Sequence, residues 1–217
     1  MTVLDRSAYA VPADELARSL LGCTLVRRLD DGTRLAGTIV ETEAYLGVRD
    51  KAAHSKGARR TPRTEPMFGP GGTAYVFLIY GMHRCFNIAA ATPGDPQAVL
   101  IRALEPVLGL STMRAHRAQR SRAANPAALP DHLVCSGPGR LCDALGIDLG
   151  MSGLDVADRD SKIRVEQIQK ASGGVPTAEI GTSSRIGVDY AEEWKDALLR
   201  FFIRGSRAVS GPASMNR

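Results

Sequence analysis

Residues 39–54 read I-V-E-T-E-A-Y-L-G-V-R-D-K-A-A-H, and the first half of this stretch alternates with the two-residue period of a β-strand. Such a strand places Val40, Thr42 and Ala44 on one face and Ile39, Glu41, Glu43 and Tyr45 on the other. Glu43 and Tyr45 then project side by side, Gly47 breaks the strand, and a short charged loop delivers His54. A carboxylate, a phenol and an imidazole gathered in this way can hold a flat substrate and work on it. The plain alternative is a half-exposed sheet on which Glu41 and Glu43 face water and His54 is an ordinary surface loop residue.

Working outward, segments 23–28 and 35–45 flank the turn Asp30-Asp31-Gly32-Thr33, a hairpin signal. Ahead of them, 12–21 predicts a helix, with Leu16, Leu20 and Leu21 at helical spacing and Gly22 ending it. Residues 47–72, rich in Gly, Pro and Arg, predict a long ordered loop, which in a compact domain is functional more often than idle. Segment 73–80 predicts a strand that turns at Gly81-Met82 and returns as 84–90, and 98–104 predicts another. A helix is expected over 106–116, followed by a polar tract with Arg114, Arg117, Arg120 and Arg122 that runs to Pro130. Gly137-Pro138-Gly139 turns into a helix over 140–145, closed by Gly146. Residues 150–184 carry weak strand patterns, 199–203 is a last strand, and 211–217 is a frayed tail. Hairpin-rich strands with peripheral helices predict an α+β fold: one compact domain over 1–217, core about 13–210, with a curved, mainly antiparallel β-sheet flanked by helices.

A chain of 217 residues, 44% of them hydrophobic, can bury a substantial core. Its net charge of +5 suits an anionic partner without demanding one. Cys23, Cys85, Cys135 and Cys142 are widely spread and form no C-x-x-C pair, so reduced, mostly buried thiols are expected. The four histidines show no ligand spacing, and neither a metal nor any other cofactor is called for. No leader and no apolar run of membrane length is visible, which predicts a cytoplasmic protein, nucleoid-associated if bacterial.

Arg102 interrupts V-L-I-R-A-L, a run otherwise suited to a strand buried on both faces. A guanidinium there must be paired, because an isolated buried charge is too costly. It either makes a structural ion pair, with Glu105 or an aspartate elsewhere, or meets Glu43 across the sheet and helps to fix a water. Leu100, Arg102 and Leu104 share a face on simple alternation. In the hairpin A-Y-V-F-L-I-Y-G-M-H-R-C-F-N, Tyr80, Gly81 and Met82 occupy the tip. Such a tip either folds back onto a helix or serves as a wedge between stacked bases.

The words E-T-E-A-Y-L-G, A-A-H-S, T-P-R, M-F, Y-V-F-L-I-Y-G-M, V-L-I-R-A-L-E-P, C-S-G-P-G-R-L-C-D-A-L-G-I and L-R-F-F-I-R-G-S occur in this order across about residues 13–210. Together they resemble the alkyladenine (3-methyladenine) DNA glycosylase family. The resemblance implies that Glu43 activates the attacking water, with Arg102 and the backbone carbonyl near Ile186 as the water's other ligands. It further implies that Tyr45 and His54 enclose the flipped base and that Tyr80 fills the vacated stack. Asn87 would crowd the exocyclic amine of guanine, and Leu100 would form a pocket wall. Phe77 departs from the pattern, since the family commonly has tyrosine there: a stacking face is kept and a hydroxyl is lost.

The implied activity is base excision from double-stranded DNA carrying damaged purines: 3-methyladenine, 1,N6-ethenoadenine, hypoxanthine or 7-methylguanine. Only Lys51 and Lys56, on the loop, come near the matched words, so a glycosylase without lyase activity is expected. Neutral bases need a general acid, for which His54 is the one candidate. Contacts to DNA are expected from Arg59, Arg60, Arg63, Arg84 and Arg140, from Met82 and His83, and from backbone amides at Gly137 and Gly139. A monomer is expected. Two alternatives remain: a catalytically silent damaged-DNA-binding protein on the same scaffold, and a helix-hairpin-helix glycosylase, which Gly137-Pro138-Gly139 before a helix suggests but which requires a mostly helical chain.

Overall fold

In a computed structural model of the protein, which describes residues 2–120, 129–167, 175, 179–212, 214 and 216, the first hairpin forms where it was predicted. Strands β2 (Thr24–Arg28) and β3 (Arg34–Tyr45) pair antiparallel across the Asp30–Thr33 turn. Gly32 takes φ +86° there, and the Asp31 side chain accepts from the Thr33 amide at 2.8 Å. Helix α1 (Ala13–Ser19) packs Ala13, Leu16 and Ala17 against the sheet. It is joined to β3 by Thr42, whose hydroxyl donates to the Ala17 carbonyl at 2.9 Å.

The remaining strands are β1 (Thr2–Val3), β4 (Ala74–Ile79), β5 (His83–Ala90), β6 (Gln97–Leu108), β7 (Ile163–Gln167), β8 (Ile180–Ser183) and β9 (Arg200–Ile203). With β2 and β3 they make one nine-stranded sheet, every pairing antiparallel: seven strands run in the order β1-β7-β2-β3-β6-β5-β4, and off this path β8 pairs with β9, which pairs with β3. The long strand β3 is the hub. Its first half pairs with β2, its second half pairs with β9 on the same edge, and its other edge is covered by β6. Helices α2 (Leu110–Arg120), α3 (Asp131–Val134) and α4 (Pro138–Leu145) lie around this sheet. The α+β expectation holds, and a mostly helical chain is excluded.

Two expectations fail. The helix expected over 106–116 starts later: β6 runs on through Leu108, and α2 opens only after Gly109 turns the chain at φ +79°. Pro106 is tolerated in the strand because it sits at a register shift, where a missing amide hydrogen costs least. Strict alternation also fails in β3. Ile39 pairs with Leu104 and Glu41 with Ala103, so Val40 is an extra residue; Thr42 pairs with Ile101, so Arg102 is an extra residue on the facing strand. Each bulge shifts the phase of the side chains by one. Ile39 therefore joins Ala44 in the main core while Val40 packs with Ala103 and Ala208 on the far side. Likewise Leu104 lies in the core, whereas Leu100 and Arg102 line a cavity. The two bulges cancel, and the strands leave the region in register.

The loop between β3 and β4 is ordered through short 3-10 turns at Gly47–Arg49, Lys56–Ala58 and Glu65–Phe68. Asp50 organises its start by accepting from the amides of Leu46 (3.0 Å) and Ala52 (2.9 Å). The four cysteines are free and buried. Residues 121–128 of the polar tract lie outside the described residues, as do parts of 150–184 and of the 211–217 segment. Among the described residues, no helix is long and apolar enough to cross a membrane.

Candidate active site

The alternation that suggested exposed glutamates instead buries them. Glu41 and Glu43 are both fully buried, because the far face of β3 is covered by the segments around Ile186, Arg200 and Ser210. Glu43 Oε1 accepts from the Ile186 amide at 2.7 Å and forms an ion pair with Arg102 Nη1 at 3.1 Å. Its Oε2 accepts from the Tyr45 hydroxyl at 2.9 Å. Burial, and next the neighbouring Glu43 charge, hold the Tyr45 hydroxyl protonated far above the ordinary range, so it acts as a donor. The expected Arg102–Glu43 contact is present, together with a second one to Glu41.

Arg102 is held from several sides. Its Nε donates to Glu41 Oε1 at 2.7 Å and its Nη2 to the Ser210 hydroxyl at 3.3 Å. Burial opposes the Arg102 charge, and Glu43 and Glu41 more than restore it. Burial also pushes the Glu41 carboxyl up; Arg102, Arg200 and the Ser210 amide outweigh it and leave the group below the ordinary carboxylate range.

The partners of Glu43 border a cavity of about 500 Å³, within the range of small-molecule sites and large enough for a purine base. Tyr45, Arg102 and Ile186, the three partners of Glu43, line its floor, with Asn87 and Leu100 beside them. The Asn87 amide nitrogen donates to the carbonyls of Tyr75 (3.1 Å) and Cys85 (3.4 Å), which fixes its side chain as a wall. His54 and Phe77 form an aromatic side together with Tyr75. His54 meets Phe77 edge-on with centroids 4.5 Å apart, and Tyr75 stacks on Phe77 at 5.4 Å. His54 Nδ1 lies 2.9 Å from the Tyr75 hydroxyl. Burial first, then the charges of Arg63 and Arg59, push His54 down to about 4, so it is neutral at pH 7.

The β4–β5 hairpin forms one rim. Its tip is Tyr80-Gly81-Met82, with Tyr80 at φ +52° and Gly81 at φ +71°, and the Met82 amide donates back to Ile79 at 3.2 Å. Tyr80 is 82% exposed and Met82 65%, so the tip does not fold back onto a helix. The N-terminal end of α4, residues 137–140, lines the cavity together with Tyr80 and His83. A side chain added at Gly139 would press on His83 at 3.4 Å.

The expected DNA-contact arginines separate. Arg63 and Arg140 line the cavity, and Arg63 lies over the Phe77 ring at 5.2 Å. Arg59, Arg60 and Arg84 do not line it. Arg60 makes a two-pronged pair with Glu65 (2.8 and 2.6 Å), while Arg84 is half-buried. Sequence reasoning missed Tyr75, Glu41 as a partner of Arg102, and the pairs made by Arg185 and Arg200. Tyr75 stands two residues before Phe77 on the same strand face, and Arg200 interrupts an apolar run just as Arg102 does; both signals were there to use. Nothing in the sequence linked Arg185 with Asp50.

The family description "methylpurine-DNA glycosylase" matches residues 7–207 of the chain. The chain is 45% identical over 212 residues to a DNA-3-methyladenine glycosylase of Homo sapiens, covering 97% of this chain and 68% of the relative. It is 47% identical over 201 residues to the Mus musculus DNA-3-methyladenine glycosylase, of which it spans 58%. It is 44% identical over 211 residues to a putative 3-methyladenine DNA glycosylase of Desulfitobacterium hafniense, of which it spans 99%.

Proposed function

Because the chain belongs to the methylpurine-DNA glycosylase family, we propose that it excises alkylated and deaminated purines from double-stranded DNA by hydrolysing the C1′–N bond. The observation that carries this reading is a buried carboxylate, Glu43, whose three partners Tyr45, Arg102 and Ile186 all line a base-sized cavity. A water bound there loses its proton to Glu43 and attacks C1′. The same carboxylate opposes the positive charge that develops on the sugar. Arg102 and Ile186 fix the carboxylate's orientation. The Ile186 amide holds Glu43, and its carbonyl is the further water ligand that the family resemblance implies.

A base inside the duplex is out of reach and must be extruded. Tyr80 takes its place in the stack, the extruded purine lies against Phe77 and Tyr45, and Asn87 and Leu100 bound its far edge. Neutral His54 cannot serve as a general acid at pH 7. This favours lesions that are already cationic, 3-methyladenine and 7-methylguanine, over hypoxanthine and ethenoadenine. Among the described residues no lysine lines the cavity, which supports water rather than an amine as nucleophile and hence no lyase step. The protein acts as a monomer in the cytoplasm, scanning DNA.

The test is single-turnover base release from duplexes carrying 3-methyladenine, hypoxanthine or ethenoadenine. Glu43→Gln is expected to lower the rate by roughly 100-fold or more with DNA affinity retained and the backbone intact until alkali. Tight, salt-dependent binding with no release from any lesion by the wild type would make the chain a silent damaged-DNA binder.

A further inference from the structure

Arg102 faces two buried carboxylates, Glu41 at 2.7 Å and Glu43 at 3.1 Å. One guanidinium serving two carboxylates is a poor arrangement in a low-dielectric interior, since each acid competes for the same charge. The competition is relieved from outside the site. Arg200 sits across from Glu43 in the β3–β9 ladder, yet its side chain reaches along the strand to Glu41, donating through Nε to Oε1 at 2.7 Å. The Ser210 amide donates to the other oxygen of Glu41 at 2.7 Å.

Arg200 is itself held in place. Its Nη1 donates to the Ser183 hydroxyl at 2.9 Å, and its Nη2 donates to the Ser210 carbonyl and to Asn216 Oδ1, each at 2.7 Å. The segment that supplies Ser210 also touches the other partner of Glu43. Gly211 adopts φ +84° so close to Ile186 that a Cβ there would lie 2.5 Å from Ile186 Cδ1. Asn216, in the segment expected to be frayed, accepts from Arg200.

We propose that Glu41, fixed by Arg200 and by the backbone of Ser210, is a positioning residue that orients Arg102 so that Nη1 stays aimed at Glu43. Glu41 touches neither the cavity nor the reacting atoms; it acts through Arg102. The inference rests on the assignment of Glu43 and Arg102 to catalysis. Without Glu41, Arg102 is free to rotate away from Glu43 while the base pocket and the wedge stay as they are.

The measurement is a double-mutant cycle on single-turnover release of 3-methyladenine by the full chain, with Glu41→Gln, Arg102→Met and the pair, alongside DNA affinity and urea unfolding of each. Glu41→Gln is expected to slow release by roughly 10- to 100-fold with lesion-DNA affinity within about twofold. The double variant is expected to be no slower than Arg102→Met alone. Independent, multiplying losses would overturn the proposal, as would a loss confined to DNA affinity. Should Glu41→Gln fail to fold, Arg200→Lys supplies the same test, since it keeps the charge and loses the fork that reaches both Glu41 and Ser210; an unchanged rate in that variant would overturn the proposal. If Arg102→Met releases bases at the wild-type rate, the catalytic assignment falls and this proposal with it; if Arg102→Met is slow and Glu41→Gln is not, only the proposal falls.

Discussion

His54 illustrates how much a single side chain gains from its surroundings. Its imidazole is held neutral by burial and by Arg63 and Arg59, with its titration pushed down to about 4. The unfolded chain binds a proton near 6.5, so between about 6.5 and 4 the unfolded state carries more protons than the folded one. The contribution is therefore fully present above about 6.5 and is lost as pH falls towards 4. Between pH 7 and pH 5 wild type should lose about 2 kcal/mol more than His54→Phe in urea unfolding; equal losses would place the proton elsewhere. Arg102 was legible in the sequence because a charge in an apolar run must have a partner. The identity of that partner was not, since pairing across strands depends on register. Tyr75 escaped notice for the opposite reason: an aromatic in a strand reads as core until its hydroxyl is seen against His54.

At the level of elements, the hairpin tip and the Asp50–Arg185 pair pull in different directions. Tyr80 is 82% exposed, so Tyr80→Ala should leave stability within about 0.5 kcal/mol and slow base release from an ethenoadenine duplex, where extrusion is demanding. Unchanged release would remove the wedge from the mechanism. Arg185, by contrast, is buried with Asp50, donates to the Ala44 carbonyl at 2.9 Å and lies over the Tyr45 ring at 4.8 Å. It holds the loop after β3 against the residue preceding Ile186. Asp50→Ala should cost about 3–5 kcal/mol in unfolding free energy, because it strands a buried guanidinium; a loss below about 1 kcal/mol would mark the pair as superficial. Strand β1 was not foreseen and β7 and β8 showed only as weak patterns, but β2 to β6 and β9 were legible from alternation and turn residues, as was the mainly antiparallel sense. The bulges at Val40 and Arg102 were not, since a bulge leaves the composition of a strand untouched and alters only which face each side chain meets.

Across the whole molecule, the net charge of +5 and the arginines at the cavity rim favour DNA through its backbone. Affinity for undamaged duplex should fall roughly 100-fold between 50 and 200 mM salt, as expected for about four released counterions; a flat salt response would show that these charges do not meet phosphate. The α+β class could be read from hairpins and peripheral helices. The docking of β9 on β3 could not, because the residues that join them lie far apart in the chain, 159 positions for Arg200 and Glu41. Glu41 and Glu43 come early in the sequence, whereas Ile186, Arg200 and Ser210, which hold them, follow 143 or more positions later. The set of partners around the two carboxylates is therefore complete only once β9 has docked on β3.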